Sequence, residues 1–202
     1  MPEIRMYRPS DRADVAEICL KTGDAGADAT GRFISDDLLA DIYVLPYVTL
    51  EPDLAFVVDT STRVAGYLVA TADTRGFIER YRSEWLPGFA AKYRRNDPPR
   101  TASDDVIESG LRPDRMMVPE IDEYPAHLHI DLLPELQGQG FGRQLIRGLL
   151  AELRQRGVPG VHLGVGLNNT GARAFYHRLG FRPLPSDAAA GGLLGISTDA
   201  VV

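Results

Sequence analysis

The chain has one cysteine, Cys19, so no internal disulfide can form. Its place on the apolar face of the first expected helix predicts a buried structural thiol, not a nucleophile. No uninterrupted apolar run reaches membrane-spanning length, and no basic-then-apolar leader opens at Met1. We therefore expect a cytoplasmic protein without a membrane partner. Basic residues are in the minority, 22 Lys and Arg against 28 Asp and Glu, which leaves no basic footprint for nucleic acid. The net charge of −6 mildly favours a cationic partner instead. No cluster of Cys, His and carboxylates has metal-ligand spacing, so no metal is expected. Neither an internal repeat nor a long linker divides the chain. It reads as one domain, residues 1–202, long enough to bury a substantial core.

The most informative segment is Gln137-Gly138-Gln139-Gly140-Phe141-Gly142. It follows an extended run, His127 to Leu133, and precedes a helix predicted over Arg143 to Arg156 with Leu145, Ile146, Leu149, Leu150 and Leu153 on one face. A strand, a glycine-rich turn and a helix together suit a phosphate group. The first amides of a helix lack intrahelical partners and lie at the positive end of its dipole. A Walker loop is excluded because no Lys follows the glycines. The dinucleotide spacing Gly-x-Gly-x-x-Gly does not match Gly138-x-Gly140-x-Gly142. Gln137, Gly140 and Gly142 do satisfy Gln/Arg-x-x-Gly-x-Gly/Ala.

Downstream lies Asn169-x-x-Ala172-x-x-x-Tyr176-x-x-x-Gly180-Phe181. Asn168 or Asn169 can cap the next helix, Ala172 permits close approach, Tyr176 follows on the same face, and Gly180 ends the helix. In this order the two motifs resemble the acetyl-CoA pyrophosphate loop and the Asn–Ala–Tyr segment of the GNAT superfamily of N-acetyltransferases. The resemblance covers roughly residues 2–72 and 126–199. It implies an α/β (α+β) fold: a mixed, mostly antiparallel, splayed sheet flanked by helices, with the cosubstrate in the splay.

Strands are predicted at Glu3–Tyr7, Leu54–Val58, Val64–Ala72, Leu128–Leu133, Val161–Val165 and Leu193–Ser197. Helices are predicted around Val15–Leu20, Asp36–Tyr43 and Thr170–Leu179. The third and fourth strands are separated by an insertion of about fifty residues, approximately 74–124, where the resemblance implies a short turn. Phe77, Tyr81, Trp85 and Phe89 form a stripe at helical spacing, followed by a polar, Pro-rich run, Asn96 to Arg115. The stripe is expected to pack the insertion on the sheet; it can also wall an acceptor cleft. Pro87 should break or kink any continuous helix there. The runs Asp36 to Pro52, Gly66-Tyr67 and Trp85-Leu-Pro87 resemble bacterial GNAT proteins related to the C-terminal acetyltransferase-like domain of eukaryotic O-GlcNAc hydrolase. Those eukaryotic members lack much of the cofactor loop, which is intact here.

The resemblance implies acetyl-CoA as cosubstrate. Gln137, Gly138, Gln139, Gly140, Phe141 and Gly142, with Arg143 nearby, would hold its pyrophosphate. Backbone groups at Leu132 and Leu133 would align the pantetheine. Asn169, Ala172 and Tyr176 would line the same site, with Tyr176 as acid to the departing thiolate. For the base, strand alternation puts His127, His129 and Asp131 on one face, with His129 and Asp131 the candidates. Glu120, Asp122 and Glu123 are alternatives, and His177 reads as surface. The expected reaction is transfer of acetyl to a primary amine of a small molecule or a protein, by a monomer or homodimer. The alternative is an acetyl-CoA-binding pseudo-acetyltransferase acting as a sensor or interaction module.

Overall fold

The computed structural model describes residues 1–94, 96 and 101–202. The strands are β1 (Glu3–Met6), β2 (Ala55–Asp59), β3 (Val64–Thr71), β4 (Ala126–Leu132), β5 (Gly160–Gly164), β6 (Arg182–Pro183) and β7 (Leu193–Ser197). They form one sheet in the order β1-β2-β3-β4-β5-β7-β6. Every pairing is antiparallel except β4–β5, which is parallel. The β2–β3 hairpin closes through Thr60 N–H to the Arg63 carbonyl at 2.9 Å. This mixed, mostly antiparallel sheet matches the architecture expected from the chain. Among the described residues no helix is long and apolar enough to cross a membrane.

The helices are α1 (Arg12–Thr22), α2 (Ala40–Tyr43), α3 (Leu45–Leu50), α4 (Thr74–Arg80), α5 (Leu86–Lys92), α6 (Ala102–Leu111), α7 (Phe141–Gln155) and α8 (Thr170–Arg178). Alternation along β4 divides its side chains between two layers. Leu132 faces α7: one δ-carbon lies 2.3 Å from where a Cβ added at Gly66 would stand, and the other 3.6 Å from one added at Gly142. Asp131 pairs in register with Tyr67 on the opposite face, toward α1. The amphipathic α7 seals one side, with Leu145, Ile146, Leu149, Leu150 and Leu153 all buried as its spacing predicted. Val15, Ile18 and Cys19 of α1 are buried on the other.

Two local expectations needed revision. The helix expected over Asp36–Tyr43 is confined to α2, and a second short helix, α3, carries Pro46 in its first turn. Proline is tolerated there because the first turn needs no amide donor. The run from Asn96 to Arg115 also holds more order than its composition suggested. Thr101 and Asp104 form a reciprocal capping box that starts α6, while Asp97 to Arg100 lie outside the described residues.

The long β3–β4 connection holds the aromatic stripe, and the stripe packs inward. Phe77, Tyr81 and Phe89 are buried. Trp85 is half-buried and donates from Nε1 to the Asp41 carbonyl at 2.9 Å. A π turn, Tyr81–Trp85, joins α4 to α5, so Pro87 falls in the first turn of α5. Phe89 and Tyr93 then form a satellite core with Leu38, Ile42 and Ile107. Lys92 adds ion pairs to Asp37 and Asp41 at 3.0 and 2.8 Å. Truncating Phe89 to Ala should cost about 3–5 kcal/mol through the cavity it leaves. Thermal unfolding should then fall by several degrees; an unchanged Tm would show that this cluster adds nothing to global stability.

Candidate active site

Strands β4 and β5 pair only at Ala126 with Val161 and at His127 with His162. Beyond those residues they separate. Leu133 N–H is bonded to the Ala65 carbonyl of β3 at 2.9 Å. Antiparallel alternation therefore turns the main-chain groups of Leu132 and Ile130 toward the gap, and directs those of Leu133 away from it. The Leu132 carbonyl accepts a hydrogen bond from Gln137 Nε2 at 3.0 Å. Of the two backbone positions suggested by resemblance, only Leu132 thus faces the opening.

The glycine turn lies at the end of this gap. Gly138 and Gly140 have φ of +75° and +87°, conformations that a side chain would strain. Gly142 serves close packing instead: a Cβ there would stand 3.0 Å from the Phe175 ring on α8. From Gly138 to Arg143 no main-chain N–H finds an acceptor among the described residues; the next, Gln144, bonds the Gly140 carbonyl at 3.1 Å. Residues Gln137 to Gly140 and Arg143 are exposed. Six consecutive open amides at the start of a four-turn helix form an anion cradle, with the helix dipole adding positive potential.

A cavity of about 410 Å³ opens beside the splay. His129 and Asp131 line it from β4, Cys19 and Thr22 from α1, Tyr43 from α2, and Asn168 and Asn169 from the β5–α8 turn. Asn169 caps α8, its Oδ1 accepting from Ala172 N at 3.0 Å. The structure therefore brings together three of the residues proposed for the site from the sequence: His129, Asp131 and Asn169.

Asp131 accepts a hydrogen bond from the Tyr67 hydroxyl. Burial pushes its carboxyl up to about 6, with the Tyr67 bond pulling partly back. A carboxylate at that level can take up a proton near neutrality. His129 behaves oppositely. Burial, then the nearby Arg115 charge, pushes its imidazole down to about 3, so it is neutral at physiological pH. Arg115 comes from the β3–β4 connection and stands over the Tyr43 ring, 5.3 Å from its centroid. Tyr176 is buried on α8 against Phe175 and Phe181. Burial and then the charge of Asp131 push its hydroxyl upward, which keeps it protonated and able to donate. Its hydroxyl has no hydrogen-bond partner among the described residues.

The remaining candidates have other partners. His127 is buried behind His129. Glu120 accepts from Ser186 N and Oγ at 2.6 and 2.8 Å, and Asp122 pairs with Arg75 at 2.9 Å on the surface. His177 is exposed. Cys19 is buried and its thiol is pushed up by that burial, which makes it a poor nucleophile. Among the described residues no group of His, Cys and carboxylates could hold a metal ion. Reasoning from sequence missed Tyr67 and Tyr47. Tyr67 meets Asp131 only through the β3–β4 register, and Tyr47 lies 80 residues from His127; no local pattern links either pair.

The raised carboxyl of Asp131 has a consequence for stability. Its folded value exceeds the unfolded one, so full stability holds below about pH 4 and is lost as pH rises through about 6. A two-unit shift corresponds to about 3 kcal/mol. Asp131→Asn keeps an acceptor for Tyr67 and removes the charge. It should unfold several degrees higher than the parent at about pH 8, with the difference gone near pH 4. Equal Tm values at both pH values would show that the carboxylate carries no burial penalty.

Comparison with known proteins agrees with this arrangement. Residues 110–181 match the family model for the acetyltransferase (GNAT) family. The crystal structure of SsHAT superimposes with a TM-score of 0.90 at 45% identity, covering 98% of each chain. The O-GlcNAcase of Rattus norvegicus is 25% identical over 180 residues, which is 88% of this chain and 20% of that protein. The chain thus spans about a fifth of the length of that curated relative. YncA of Salmonella typhimurium, whose structure includes its cofactor acetyl-CoA, shares the fold at 18% identity and a TM-score of 0.53, covering 98% and 94% of the two chains. Taken with the splayed sheet, these matches place the chain in the GNAT acetyltransferase family.

Proposed function

We propose that the protein is an acetyl-CoA-dependent N-acetyltransferase that modifies a primary amine of a small molecule or protein by direct attack on the thioester. The observation that carries this reading is the run of six open amides from Gly138 to Arg143 at the mouth of the β4–β5 splay. This cradle would hold the pyrophosphate. Main-chain groups of Ile130 and Leu132 would flank the pantetheine, with the Gln137 side chain leaving the Leu132 carbonyl as the ligand enters. The acetyl-CoA in the Salmonella relative supports this choice of ligand.

The chain's own residues would then manage the protons. A neutral amine attacks the thioester carbonyl, the C–S bond breaks, and CoA leaves as its thiol. Asp131 would accept the proton lost by nitrogen, since its elevated carboxyl is far better matched than His129 to that task. Tyr176 would supply the proton to sulfur. Holding amine and thioester together would contribute several kcal/mol, and acid–base assistance about 10²–10⁴-fold. Activity should rise with pH through about 6 as Asp131 ionises.

Two measurements test this proposal. Acetyl-CoA at about a hundred times its Kd should add roughly 2.7 kcal/mol to folding stability, visible as a Tm shift shared by CoA but not NAD. Absence of a shift would mean that the turn only packs α7 on the sheet. Tyr176→Phe should lower kcat about a hundredfold with little change in acetyl-CoA affinity; unchanged turnover would remove Tyr176 from the acid role. Binding without turnover across a panel of primary amines would favour a cosubstrate sensor.

A further inference from the structure

A line of hydrogen bonds runs behind the cavity wall, and its direction can be deduced from its fixed end. Thr74 Oγ1 lies 2.7 Å from the Pro125 carbonyl, which can only accept, so the hydroxyl proton points there. Thr74 Oγ1 lies equally close to His127 Nδ1, at 2.7 Å. With its proton committed, Thr74 must accept, and His127 therefore carries its proton on Nδ1. Burial and neighbouring charges keep His127 neutral, so its Nε2 is bare. Tyr47 Oη lies 2.7 Å from that Nε2 and donates to it rather than to Met116 Sδ, a weak thioether acceptor at 3.5 Å. Tyr47 Oη is also 3.1 Å from His129 Nε2. Having spent its proton on His127, Tyr47 accepts here, so His129 carries its proton on Nε2.

His129 Nδ1 is then the bare nitrogen. It has no hydrogen-bond partner among the described residues, and no wholly buried side-chain N or O there lacks one. His129 Nδ1 must therefore remain in contact with solvent, and the solvent-filled space that His129 lines is the cavity. We propose that Thr74 and Tyr47 are positioning residues that lock His129 in its Nε2–H tautomer, so that Nδ1 stands open to the cavity as a hydrogen-bond acceptor for an incoming amine. The amine half of this inference rests on the acetyltransferase reading; the tautomer lock does not. Asp131 is the second acceptor on the same strand face, two residues on. A neutral primary amine has two N–H groups, one for each acceptor, and its lone pair is then left free to attack. A secondary amine can satisfy only one.

The lock is readable in the resting protein by long-range ¹⁵N–¹H correlation of the imidazoles, which distinguishes Nδ1–H from Nε2–H. The parent should show His127 as Nδ1–H and His129 as Nε2–H. Thr74→Val removes the fixed end and leaves His127 Nδ1 without an acceptor. His127 should then move its proton to Nε2, Tyr47 should turn its hydroxyl to His129, and His129 should become Nδ1–H. Both tautomers reverse together, and kcat for a primary amine should fall about a hundredfold while acetyl-CoA affinity holds. Thr74→Ser should restore the parent pattern and turnover. Tyr47→Phe, which retains the ring stacked 4.5 Å from Phe77, should uncouple the pair, so that adding Thr74→Val no longer moves His129. A parent with His127 as Nε2–H or His129 as Nδ1–H overturns the lock, even if Thr74→Val does not fold. Reversed tautomers with unchanged kcat overturn the role of Nδ1. Parent protein that acetylates no primary amine would sink the acetyltransferase reading, while the tautomer pattern still decides the lock.

Discussion

Past Ala126 and His127, strand β4 has no hydrogen-bonded neighbour on its β5 side. A central strand left half-paired in the interior is costly, because each main-chain group there needs a partner or solvent. The surrounding structure is organised around that gap. The Gln137 side chain covers one carbonyl, the cavity brings solvent to the strand face, and the two elements that follow the separating strands supply the functional ends. The β4–α7 turn contributes open amides, and the β5–α8 turn contributes the Asn169 cap and, one helix face later, Tyr176.

Separation of these strands also sets the electrostatics. His129 and Asp131 lie on one face of one strand, two residues apart, and burial drives both toward their neutral forms. For a carboxyl this raises the proton affinity into the working range of a base. For an imidazole it removes the charge and leaves a pure hydrogen-bonding group. One environment thus assigns two different roles according to the sign of the ionised form.

Behind that face lies a polar chain in an otherwise apolar core. Thr74, His127 and Tyr47 are all buried and all partnered, and Tyr47 also stacks on Phe77. Thr74 and Phe77 begin the β3–β4 connection, and Tyr47 sits on α3. The aromatic stripe Phe77, Tyr81 and Phe89 therefore does more than fill volume. It holds the connection so that Thr74 meets His127, and the wall of the cavity is only as well ordered as that contact.

Features set by short-range chemistry were readable from the chain. The α7 stripe, the glycine turn, a cap at Asn168 or Asn169 and the alternation of His127, His129 and Asp131 each depend on spacing within one element. The mixed sheet was expected only through the resemblance that the two motifs and the order of elements carry. Helix α3 was hidden because Pro46 reads as a breaker unless its first-turn position is known, and α6 because its polar composition masked a capping box. The pairing of Tyr67 with Asp131, the orientation of Leu132 rather than Leu133 toward the gap, and the bridge from Tyr47 to both histidines arise only when β3, β4 and α3 are assembled. Local sequence carries periodicity and backbone preference over a few residues. Register, burial and hydrogen-bond direction are properties of distant segments in contact, and only the tertiary structure decides them.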